Sequence, residues 1–146
     1  MSEQPDRMNT MTTTEHYAQL RSWAKGMYPC EAATELLIRT GWASEGMPWV
    51  EPDGWIDAAK INPNAGAYSG DEQRLLAIAA SLYGAEPVDL DDAITGLDRQ
   101  GVVLVLAALA HASGSHEHGG FSYDEDGRPN GTIRHESLYP WPPAVS

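Results

Sequence analysis

Asp98-Arg99-Gln100-Gly101-Val102-Val103-Leu104-Val105-Leu106-Ala107-Ala108-Leu109-Ala110-His111-Ala112-Ser113-Gly114 is the most apolar stretch of the chain. Over residues 102–110 every face of a helix would be apolar, which predicts a central helix wrapped by others. Asp98 supplies an N-cap and Gly114 a C-terminal stop. Val102, Val103 and Val105 would also suit a buried strand, but the length of the run and the alanines after Leu106 favour the helix. The run falls far short of the roughly 20 apolar residues needed to cross a bilayer. The expected fold is therefore all-α: a compact bundle of five to six short helices around a buried central helix, with extended termini.

Working outward, 146 residues suit one domain that can bury a core without staples. The 14 glycines and 10 prolines point to substantial loop or tail. Cys30 is the only cysteine, so no internal disulfide can form. The polar start of the chain has no apolar segment of the secretory kind, which makes a cytoplasmic protein the expectation. A net charge of −12 disfavours direct contact with nucleic-acid phosphates and with anionic membrane surfaces. It leaves two readings: solubility, or an acidic nucleic-acid mimic that inhibits a DNA-binding protein. The carboxylates are dispersed and many stand where helices begin, which favours solubility.

Residues 1–12 are expected to be disordered, 13–114 to form the helical domain, and 115–146 to be a flexible tail containing His, Pro and Gly. Thr12 and Glu15 have capping-box spacing and open a helix through Lys25, with Tyr17, Leu20 and Ala24 inward and Gly26 as its end. A second helix begins near Pro29 and runs to Arg39, with Gly41 as its stop and Glu35 paired to Arg39. The segment 42–64 reads as an ordered loop followed by a short helix over 54–61 capped by Asp53. Ser69 and Glu72 form a second capping box, for a helix to Tyr83. Asp89 caps a short helix before Asp98. After Ser113 no periodicity persists, and the chain ends in the polyproline-like Tyr139-Pro140-Trp141-Pro142-Pro143.

Two stretches carry a resemblance. They are Trp23-Ala24-Lys25-Gly26 with 29–39, and Leu76-Ala77-Ile78-Ala79-Ala80-Ser81-Leu82 with Val88-Asp89-Leu90 and 96–117. Both resemble uncharacterised small acidic helical proteins of actinobacteria and their phages, over roughly residues 15–118. That resemblance implies an origin as a phage or mobile-element accessory protein, and no catalytic residue or ligand.

The first candidate site is a histidine cluster: His111 in the last turn of the central helix, with His116 and His118 beyond the Gly114 break. Zinc takes three or four N, S or O ligands at about 2.0–2.3 Å. A turn bending back would bring His116 or His118 to His111, with Glu117 or carboxylates near Asp98 completing the shell. The plainer reading has His111 at its helix's C-terminal carbonyls and the other two histidines solvated. Tyr123-Asp124-Glu125-Asp126-Gly127 lacks the glutamate of a calcium loop and reads as a turn. Cys30 has no local base and reads as inert. No nucleophile elbow or phosphate loop occurs, so no catalytic residue is assigned.

The second candidate is aromatic. Trp42, Trp49 and Trp55 lie among prolines and glycines, where they either seal the bundle or form a binding patch together with Tyr139 and Trp141. Trp141, flanked by prolines, would dock onto this domain or into a partner's groove. The sequence thus leads to a binding or regulatory protein acting through protein contacts, its partner unknown. The alternative is a metal-binding protein, with a hydrolase as its enzymatic form, using zinc at the histidines.

Overall fold

The computed structural model describes residues 11–143, so nearly all of the expected disordered N-terminus lies outside the described residues. Among the described residues six α-helices dominate: α1 (Thr13–Ala24), α2 (Tyr28–Thr40), α3 (Ile61–Asn64), α4 (Gly70–Leu82), α5 (Leu90–Thr95) and α6 (Arg99–Ala112). The fold is mostly helical but not all-α. Two antiparallel strand pairs, β1 (Val50–Glu51) with β2 (Trp55–Ile56) and β3 (Gly119–Tyr123) with β4 (Pro129–Arg134), complete it.

The helix starts follow local chemistry. The Thr12 and Ser69 hydroxyls accept from the Glu15 and Glu72 amides, and both glutamates reach back to close capping boxes. Asp98 Oδ1 accepts the Gly101 N–H at 2.7 Å, and Asp89 caps α5 through Asp91. Gly41 and Gly114 end their helices in left-handed conformations that other residues adopt at a cost.

The hub of the bundle is α2, which packs against α1, α4 and α6. Its Ala32, Ala33 and Thr34 let neighbouring backbones approach closely, while Leu36 and Leu37 fill the remaining space. This corrects the expectation of a buried central helix over 102–110. In α6, Leu104, Val105, Ala107 and Ala108 are buried, but Val102, Val103, Leu106 and Leu109 form a stripe with 36–43% of their surface exposed. Apolarity on every face permitted full burial, but among the described residues beyond α6 there is no further α-helix to lay over that side.

The segment 50–64 also differs. In place of one helix over 54–61 capped by Asp53, it forms the tight β1–β2 hairpin, a 3-10 turn (Ala58–Lys60) and α3. Gly54, at φ +91°, makes the hairpin turn, and Asp53 accepts from the Trp55 indole at 2.8 Å instead of capping a helix. Trp49 is fully buried and donates its indole N–H to the Trp42 carbonyl at 2.7 Å.

Residues 119–134, expected to lack structure, are paired as β3 and β4. Their turn is held by Asp124 Oδ1, which accepts the Asp126 and Arg128 amides at 2.9 Å each, in keeping with the turn read there. The chain then returns to the bundle. Leu138 N–H donates to the Ser115 hydroxyl at 2.9 Å, Trp141 packs against the core, and Arg39 donates to the Pro142 carbonyl.

Candidate metal centre

Three chain segments meet where α2 begins and α6 ends. Glu31 stands in the first turn of α2 and His111 in the last turn of α6. His116 follows Gly114 in the 3-10 turn Ser115–Glu117. Gly114, at φ +83°, reverses the chain, and a Cβ there would stand 3.2 Å from the Tyr28 ring. The tight reversal lays His116 on His111, their rings stacked at 3.9 Å and 11°. Tyr28 caps the pair edge-on, its centroid 4.8 Å from that of His116.

His111 Nε2–H donates to Glu31 Oε1 at 2.7 Å, and the Gly26 N–H donates to Glu31 Oε2 at 2.8 Å. Burial works against the Glu31 charge, yet the Gly26 amide and His111 hold its carboxyl below the usual carboxylate range. Each of Glu31, His111 and His116 offers a ligand atom, and these atoms lie within 4.8 Å of one another. A tetrahedral ion with bonds of about 2.0–2.2 Å needs its donors roughly 3.3 Å apart, so modest side-chain shifts would bring the three into range. His116 Nδ1 is buried without a hydrogen-bond partner. Such an orphan costs about 1–3 kcal/mol unless something supplies a contact.

The trio opens into a cleft of about 660 Å³ that is also lined by Arg21, Lys25, Arg39 and Trp141. A neighbouring cleft of about 670 Å³ shares His111, His116 and Trp141. Glu35 braces the wall between α1 and α2. It accepts from Arg21 Nε and Arg39 Nε at 2.8 Å each, and Arg39 in turn sits 5.2 Å over the Trp141 ring. Burial opposes the Glu35 charge, but the two guanidiniums outweigh it and keep its carboxyl low. Glu35→Gln is therefore expected to cost about 1–2 kcal/mol near neutral pH. A carboxyl lowered on folding stabilises the protein above its ordinary titration range and loses that effect as pH falls through its folded value. In urea melts the gap between the two proteins should thus narrow below about pH 4.3. A gap equally wide in acid would mean that the charge of Glu35 is not what matters.

The structure corrects the expected ligand set. Asp98 stands at the opposite end of α6, about 20 Å away for a helix of 14 residues, and cannot complete the shell. His118 is exposed at the entry to β3 and lies outside the cluster. Glu117 lines the cleft but pairs with Arg134 at 3.2 Å. Glu31, in the first turn of α2, takes the place expected of them. No sequence signal joins it to His111, 80 positions away.

The aromatic set divides. Trp42 and Trp49 are buried and offer no surface, because the loop after α2 folds them onto Tyr68, with centroids 6.2 and 6.1 Å from its ring. Trp55 is half-buried beside Trp23, Tyr139 is exposed, and Trp141 is a wall of the cleft. Cys30 is half-buried, and burial together with Glu31 pushes its thiol pKa up, away from the reactive thiolate. No protein-family model, curated protein or solved structure matches this chain.

Proposed function

We propose that this protein binds a divalent transition-metal ion, zinc or a close neighbour, through Glu31, His111 and His116. The observation that carries the reading is the convergence of two imidazoles and a carboxylate, from three separate segments, within 4.8 Å of one another. Imidazole suits zinc, copper, iron and nickel, whereas magnesium and calcium prefer all-oxygen shells. Three protein ligands leave a coordination position for water or another small ligand, as in zinc sites that act on bound molecules. The buried, unpartnered His116 Nδ1 supports the same reading, since closure of the trio around an ion would give the imidazole the partner it lacks. Contact with a protein through an aromatic patch has less to stand on, because Trp42 and Trp49 are spent on the core.

The direct test is titration of metal-free protein with cobalt(II), which takes zinc's place and reports its ligand field in the visible spectrum. One equivalent should bind with the intense bands of a four- or five-coordinate N/O site. Those bands should be lost in the His111→Ala/His116→Ala double variant and kept in His118→Ala. Weak bands typical of the hydrated ion, or equal binding by the double variant, would overturn the proposal.

A further inference from the structure

We infer that the ligand of this centre is a small organic anion, with an oxyanion group on the ion and an apolar body against Tyr28 and Trp141. The inference rests on the metal reading above and adds to it the class of molecule bound. Volume is the first reason. A cleft of about 660 Å³ far exceeds what an ion and its waters require and falls within the usual range for small-molecule sites.

Charge is the second. The chain has 21 acidic and nine basic residues, yet three of the nine, Arg21, Lys25 and Arg39, line this one cleft. Glu35 is spent on Arg21 and Arg39, and Glu117 on Arg134. Lys25 has no ion-pair partner among the described residues. Three carboxylates, Glu31, Glu35 and Glu117, face the three cations, and Arg134 neutralises Glu117 from outside the cleft, so the local balance is slightly positive and a divalent ion on Glu31 makes it clearly so. In an otherwise acidic molecule, such a basin with its ion in place attracts anions. The walls give the third reason. Tyr28 exposes its ring at the mouth, and Trp141 stands in the same cleft under Arg39, so a flat apolar group has aromatic faces to lie on.

The test uses the full chain loaded with cobalt(II), and benzoate as the probe. Millimolar benzoate should shift the visible bands, and benzamide, its neutral counterpart of the same shape, should not. Inorganic phosphate, which lacks an apolar body, should bind more weakly than benzoate. Lys25→Gln, on an exposed side chain, should weaken benzoate about two- to five-fold while leaving the cobalt spectrum without benzoate unchanged. If no cobalt site forms, the metal reading and this inference both fall. If the site forms but ignores benzoate, or answers benzamide equally, the anion assignment alone falls. Tighter binding of phosphate than of benzoate would remove the role of the aromatic walls, and unchanged benzoate affinity in Lys25→Gln would remove that of the lysine.

Discussion

Zinc added to metal-free protein is expected to raise the melting temperature by about 5–10 °C. A ligand that binds only the folded state at a hundred times its dissociation constant stabilises by about 2.7 kcal/mol, and in a chain of this size each kcal/mol is worth about 2–4 °C. The shift should be nearly abolished when His111 and His116 are both replaced by alanine. Glu31→Gln should diminish it, because a neutral amide is a poor ligand for a dication. The quantity to compare is the zinc-dependent shift within each variant. His111→Ala also removes the 2.7 Å bond to Glu31, so its metal-free melting point falls for a reason unconnected with metal. His118→Ala, outside the cluster, should retain the whole shift. A shift of equal size in the double variant would locate zinc elsewhere and sink the assignment of Glu31, His111 and His116.

The features legible in the sequence are those set by neighbours in the chain. The capping boxes at Thr12 and Ser69, the aspartate caps of α5 and α6, and the glycine stops at 41 and 114 are decided within a few residues, and each stands where the sequence puts it. The β3–β4 hairpin escaped because burial is not what holds it. Every residue of β4 is exposed, so it relies on ladder hydrogen bonds and the Asp124 turn and leaves no hydrophobic period to read. The reverse error arose at α6. A continuous apolar run shows that burial is permitted on every side, but only the supply of neighbouring elements decides how many sides are covered. The site was half legible. His111 and His116 are joined by a turn that Gly114 announces, whereas Glu31 arrives through the packing of α2 on α6, and packing between distant segments leaves no mark on local spacing.

The largest stability effect is expected at Trp49, which the sequence left undecided between core and binding surface. Trp49→Ala should cost about 3–5 kcal/mol, the usual range for removing a large aromatic from a core. It would also strip the Trp42 carbonyl of its donor, adding to the cost. Against the total of about 5–15 kcal/mol typical of folded domains, the variant would sit near the edge of folding, with a melting temperature about 10 °C lower or more. Trp49→Phe keeps an aromatic ring beside Tyr68 and loses the indole N–H, so it should fall between wild type and alanine. Trp55→Ala is the informative contrast. Trp55 is half-buried in a two-residue strand and its indole bonds only to Asp53 beside it, so its loss should cost no more than about 2 kcal/mol. If guanidinium melts ranked Trp55→Ala as severe as Trp49→Ala, Trp49 would not be the buried anchor that its full burial indicates. A Trp49→Ala protein of undiminished stability would return Trp49 to the surface and restore the aromatic patch as a binding site.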